Sequence, residues 1–181
     1  MLNRIITVAA LGAGAVWLSK KFRGQGPSDM SSSVQESIEV NVPTSTAYNQ
    51  WTQFEDFPKF MDSVLEIKQL DAKRLHWRAE IDGKEKEWDA EITEQIPDKR
   101  IAWRSIGGVN NAGVVTFHKI SDTTTRIMLQ MDYQPEGPVE QMGAALGAVR
   151  MEARKNLKSF KDFIEARRSE TGAWRGSVAQ H

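Results

Sequence analysis

The feature that most constrains this chain is a run of short extended segments followed by one long amphipathic helix. Alternating apolar and polar residues mark Val64–Leu70, Arg74–Ile81, Lys84–Gln95, Arg100–Ile106, Ala112–Ile120 and Thr125–Gln134 as strands. The breaks between them are short: Asp71-Ala72-Lys73, Asp82-Gly83, Pro97-Asp98, Gly107 to Asn111, and Ser121 to Thr124. Such turns join neighbours antiparallel, because a parallel pair needs a long crossover. Ahead of the run, a first strand covers Gln35 to Val42 and Pro43 closes it. Thr44-Ser45-Thr46 offer cap oxygens for a short helix through Trp51, and a second helical piece covers Glu55 to Met61 around Pro58. After the run, from Pro138 to about Arg168, Val139, Met142, Leu146, Val149, Ala153, Leu157, Phe160 and Ile164 form one stripe. A single apolar helix must cover one face of a seven-stranded antiparallel sheet, which makes an α+β domain.

Turn chemistry sets the register. Asp82-Gly83 is a two-residue hairpin signal that pairs Ile81 with Lys84, Ala79 with Lys86 and Trp77 with Trp88. A turn centred on Pro97-Asp98 pairs Ile92 with Trp103. Both registers gather Leu75, Trp77, Ile81, Trp88, Ala90, Ile92, Ile101 and Trp103 on one face and put His76, Arg78, Glu80, Glu87, Asp89, Glu91 and Arg104 on the other. Val115, Phe117, Ile127, Leu129, Met131 and Tyr133 continue the inner face, provided the loop at Asp122 to Thr124 has three residues or a bulge. Glu94 has inward parity near its strand end. Three tryptophans under one helix either fill a core or line a cavity, and composition leaves both open.

Outside the domain, Ile5 to Leu18 is an uncharged apolar run with Arg4 before it and Lys20-Lys21-Phe22-Arg23 after it. Fourteen helical residues reach only about 21 Å, but Leu2 to Phe22 can just span a bilayer if the basic ends snorkel. Residues 1–23 read as a membrane anchor; the alternatives are a cleaved signal peptide ending at Ala13-Gly14-Ala15, or an interfacial extension. As an anchor, its basic side puts the body in the cytoplasm; after cleavage the body is periplasmic. Residues 24–33 read as a flexible linker, 34–168 as the domain, and 169–181, with Trp174, as a flexible tail that can also dock back. The formal net charge of zero thus divides into +4 on residues 1–23 and −4 on the rest, which gives no reason to expect nucleic-acid binding.

The body resembles the START-like (SRPBCC) superfamily, in its polyketide cyclase/dehydrase and coenzyme-Q-binding (lipid transport) branch. The likeness rests on Val40-Asn41-Val42-Pro43-Thr44-Ser45-Thr46-Ala47-Tyr48-Asn49-Gln50-Trp51 followed by Phe54-Glu55-Asp56-Phe57-Pro58-Lys59-Phe60-Met61. Trp88-Asp89-Ala90-Glu91-Ile92, Arg100-Ile101-Ala102-Trp103-Arg104-Ser105 and Gly113-Val114-Val115-Thr116-Phe117 extend it. It implies a helix-grip fold, a curved sheet wrapped around the long C-terminal helix, with a hydrophobic cavity between them for a lipid, quinone or polyketide-like molecule. Trp77, Trp88, Trp103, Ser105, Met131, Tyr133, Met142, Leu146 and Arg150 are the candidate lining, Arg150 for an anionic head group and Asn110 or Asn111 at the rim.

Little in the chain points to catalysis. The absence of cysteine excludes thiolate metal sites and Cys nucleophiles. His76, His118 and the terminal His181 form no metal-ligand spacing, no G-x-S-x-G elbow occurs, and the strand acids fall on the outer face beside basic neighbours. No metal, cofactor or catalytic residue is expected. The reading is non-catalytic binding, transport or chaperoning of a hydrophobic small molecule. Its alternatives are an aromatase/cyclase-like enzyme, or a protein-interaction or stress module whose cavity its own side chains fill.

Overall fold

The structure is a computed structural model that describes residues 32–81, 83–109, 111–133 and 142–179. The expectations for residues 1–23 and for most of the linker lie outside the described residues. Seven strands form one sheet: β1 (Ser32–Val40), β2 (Val64–Gln69), β3 (Arg74–Ile81), β4 (Lys84–Ile96), β5 (Arg100–Ser105), β6 (Asn111–Ser121) and β7 (Thr124–Tyr133). Helix α1 (Thr44–Trp51) and a 3-10 helix (Phe54–Lys59) lie between β1 and β2, and α2 (Met142–Arg167) follows β7. The strand order β1-β7-β6-β5-β4-β3-β2 is antiparallel throughout, so only the pairing of β1 with β7 joins strands distant in sequence. This is the helix-grip arrangement that the resemblance implied.

The β3–β4 hairpin has the expected register, Ile81 opposite Lys84 and Trp77 opposite Trp88, with Gly83 at φ +71° in its turn. Ile92 does face Trp103, but by another route. The turn is one residue longer, with Ile96 opposite Arg100 and Asp98 at φ 60°, and a bulge at Thr93 restores the register. That bulge corrects the parity of Glu94: it faces outward opposite Ala102 and pairs with Arg100 at 3.1 Å, while Gln95 turns inward and is buried. A second bulge, between Lys119 and Ser121, keeps Ile127, Leu129 and Met131 on the inner face, as the β6–β7 loop required. At α1 the expected side-chain cap is absent. Pro43 holds the cap position, its carbonyl accepts from the Ala47 N–H at 3.1 Å, and Thr44 Oγ1 instead accepts from Thr125.

The core is concentrated at one end of the sheet. There Trp51 meets Phe57, Phe117 and Phe160 edge to face, with centroids 5.7, 6.2 and 4.8 Å away. Helix α2 supplies Ala153, Leu157, Phe160 and Ile164, all buried. Full burial of four such side chains stabilises the grip by several kcal/mol, at about 1.5–3 kcal/mol for each larger one.

The C-terminal segment corrects the sequence reading: it is docked. Trp174 N–H donates to Thr52 Oγ1 at 3.1 Å, Thr171 N–H donates to Gln50 Oε1 at 2.9 Å, and Arg175 grips both carboxylate oxygens of Asp98 at 2.6 and 2.8 Å. Val178 exchanges two backbone hydrogen bonds with Gln95. Buried polar side chains explain why this segment docks. Asn49, Gln50, Thr52 and Gln95 are all buried in the domain and would lose hydrogen-bond partners or cover without it. At the other end, Ser32 and Ser33 already belong to β1, opposite Tyr133 and Asp132, rather than to the linker.

Candidate functional site

The strand register puts the start of β1 and the end of β7 at one end of the sheet, opposite the aromatic core. Helix α2, with Arg150 on Glu36 and Lys161 on the Glu39 carbonyl, runs parallel to β1 and begins toward that end. Here the inner face carries the tryptophans singled out in the sequence. Trp77 stacks on Trp88 (5.7 Å, 13° between planes) and meets Phe57 edge to face at 6.0 Å. It bridges the main core and a small cluster of Ala79, Trp88 and Ala90. Trp88 is buried, whereas Trp77, Trp103 and Met131 are half-buried against the core. Trp103 lies over Gly113, where a Cβ would stand 2.8 Å from both Trp103 Cη2 and the Gln130 carbonyl. Glycine there lets the indole lie flat on the sheet.

Helix α2 divides at this point. Its middle is held on both sides: Arg154 and Arg150 pair with Glu36 of β1 at 2.8 and 3.5 Å, Ser63 donates to Glu152 at 2.6 Å, and Lys155 pairs with Asp62 at 3.1 Å. Up to and including the first of these clamp residues, residues 143–151 are exposed or half-buried, with no fully buried residue. Leu146 is half-buried, and Arg150 is exposed and engaged with Glu36. Backbone alone places Tyr133 and Met142, as the last residue of β7 and the first of α2; their side chains, with Asn110, lie outside the described residues.

Polar groups around the inner face are few and, apart from Glu36 in its pairs with Arg150 and Arg154, neutral. Ser105 Oγ accepts from the Asn111 N–H at 3.1 Å. The indole nitrogen of Trp77, Asn111 Oδ1 and Asn156 Oδ1 are buried without a hydrogen-bond partner among the described residues. Tyr48, deeper in the core, accepts from Gln95 at 3.1 Å, and burial raises its pKa above the ordinary value of 10.0. Sequence reasoning missed Asn156, Phe57, Glu36 and Gly113. Only Gly113, a glycine inside a Val-rich strand, carried a local signal.

His76, His118, Glu80, Glu87, Asp89 and Glu91 stand outside this face, as their parity required. His76 Nδ1 is 2.7 Å from Asp89, and His118 Nε2 is 2.9 Å from Thr116 Oγ1. Burial and then the nearby Arg126 lower the pKa of His118 below its ordinary value. Where β5 ends, the loop over Ile106, Gly107 and Gly108 forms a groove of about 320 Å³ with His76, Glu87, Trp88 and Asp89. Gly108 sits at φ +77°, where a Cβ would lie 2.8 Å from the Glu87 carbonyl, so the loop presses on β4. No cluster of three or more metal-ligating side chains occurs among the described residues.

Comparison with known proteins adds three findings. The profile of the family described as "Polyketide cyclase / dehydrase and lipid transport" matches residues 40–161. A Streptomyces lincolnensis protein, described as an uncharacterized 17.2 kDa protein, is 54% identical over 148 residues, 81% of this chain and 99% of that one. Among solved structures, a Deinococcus radiodurans protein superposes with a TM-score of 0.59 at 26% identity, over 75% of this chain and 98% of its own. The Zhui aromatase/cyclase of Streptomyces has a TM-score of 0.66 at 12% identity, over 80% and 99%. A START superfamily protein of Mycobacterium smegmatis has 0.61 at 16%, over 75% and 95%. At those identities the last two are likenesses of fold alone.

Proposed function

The chain belongs to the polyketide cyclase/dehydrase and lipid transport family, and on that premise we propose that it is a non-catalytic binding module for a hydrophobic small molecule, a lipid or a quinone. The ligand would lie between the inner face of the sheet and the first turns of α2. One observation carries this reading: Trp77, Trp103 and Met131 are only half-buried although they belong to the inner face, and the described part of α2 carries fully buried residues only from Ala153 onward. The buried indole N–H of Trp77, without a hydrogen-bond partner among the described residues, supports it too. An unpaired buried donor costs about 1–3 kcal/mol, and a quinone or ester carbonyl would remove that cost. We propose further that residues 1–23 tether the domain to the bacterial cytoplasmic membrane, with the body on the cytoplasmic side.

The test is tryptophan emission of the full chain titrated with decyl-ubiquinone and with a bacterial lipid extract, alongside native mass spectrometry of the purified protein. Saturable binding or a co-purifying small molecule is expected; linear, unsaturable quenching with no retained molecule would refute the reading. The family description favours a second reading, an aromatase/cyclase-like enzyme acting on a polyketide. Against it, Ser105, Trp77, Asn111 and Asn156 are neutral groups, and Glu36 is held by two arginines. Turnover of a linear poly-β-ketone that falls in Ser105→Ala and Tyr133→Phe would establish that alternative.

A further inference from the structure

The outer face of a helix on a water-soluble domain carries charge, and α2 obeys this only in part. Residues 152–167 hold eight charged side chains, but residues 143–151 hold one, Arg150, which is paired with Glu36. In that first part Gly143, Ala144, Gly147, Ala148 and Met151 are all exposed, Met151 at 72%. Two of the other large exposed apolar side chains belong to the same end of the sheet by register. Ile106 follows the end of β5, and Leu65 follows the first residue of β2. The chain enters the domain at this end too, at Ser32 opposite Tyr133.

We propose that this end of the domain rests on the lipid bilayer, the exposed apolar face of α2 against the membrane surface, so that the inner face opens toward the lipid. The proposal rests on the tether and ligand readings above and adds an orientation and an occupant. Chain length supports it. Eight residues, 24–31, separate the basic boundary of the apolar segment from Ser32. Such a stretch reaches at most about 29 Å, roughly the length of β1 itself. The near end is therefore always within reach of the bilayer, and the far end only with those residues fully taut. The β3–β4 hairpin presents both signs at this end (Lys84, Lys86, Glu85, Glu87). Attachment is accordingly by apolar contact and should not need anionic lipid.

The cysteine-free chain makes the test direct. Full-length Met151→Cys and Ser121→Cys, the latter at the opposite end of the sheet, are each labelled with an environment-sensitive NBD probe and mixed with phosphatidylcholine vesicles, with and without brominated acyl chains. The result expected is co-sedimentation of both, with blue-shifted emission and bromolipid quenching several-fold stronger at 151 than at 121. A chain left in the supernatant overturns tether and orientation together. Equal quenching at the two positions overturns the orientation. Shielding at 151 without bromolipid quenching means that protein, a second copy or residues 1–23, covers the face, and also overturns it. An Ala144→Glu, Ala148→Glu pair introduced into the 151-labelled chain should lower the quenching while leaving far-UV circular dichroism unchanged; undiminished quenching counts against the helix face as the contact. Tryptophan titration of the same samples separates the two readings, since lost ligand binding with quenching intact refutes the ligand alone.

Discussion

At the scale of single residues, the inner face depends on one missing side chain. Trp103 can lie along the sheet because Gly113 opposite it has no Cβ. Gly113→Ala places a methyl against both the indole and the Gln130 carbonyl, so one of them must move. Overpacking of that kind costs about 1–3 kcal/mol, which urea denaturation would show as a lower midpoint at unchanged slope. A variant as stable as the parent would mean that the indole shifts freely. The tryptophans themselves were legible in the sequence, because alternation assigns each to a face without reference to any neighbour. The group beneath Trp103 was not, since one glycine in a strand reports a close approach without saying by what.

At the scale of elements, the docked C-terminal segment binds through groups that titrate. Burial pushes the Asp56 carboxyl up, yet hydrogen bonds from Lys59, Thr171 and Gln50 outweigh it and leave its pKa below the ordinary 3.8. A hydrogen bond from Asn49 does the same for Glu170, below its ordinary 4.5, against the opposing effect of burial. Both folded values lie under the unfolded ones, so their stabilisation is complete above pH 4.5 and is lost as pH falls through 3.8 and then the lower folded values. Amide protection of Thr171, Trp174 and Val178 should therefore fall on acidification before that of β6 and β7 does. Simultaneous loss across the molecule would show that the segment is not a separate acid-sensitive unit. The sequence reading favours a tail for this segment because Trp174 stands past the helix in Thr171-Gly172-Ala173-Trp174-Arg175-Gly176, with docking through that Trp as the alternative. Its partners, such as Gln50 for Thr171, are 121 residues away.

At the scale of the whole molecule, the fold is a grip that closes at one end. Aromatic packing around Trp51 and Phe160 holds the C-terminal half of α2, and the ion pairs of Glu36 and Asp62 clamp its middle. Residues 146–151 include no fully buried residue and one ion pair, that of Arg150, so their amides should exchange several-fold faster than those of 157–164 in the full chain, measured by hydrogen-deuterium exchange. Equal rates would show that the two halves open as one. The order of elements, the antiparallel pairing of consecutive strands from β2 to β7, the inner and outer faces apart from Glu94, and the β3–β4 register were determined by the sequence alone. Each follows from a local rule, a period of two or 3.6 residues or a turn of fixed length. Only the tertiary structure decided the bulge that turns Glu94 outward, the docking of the C-terminal segment and the contrast between the halves of α2. Those depend on contacts between residues far apart in the chain, where packing and buried hydrogen bonds outweigh the local pattern.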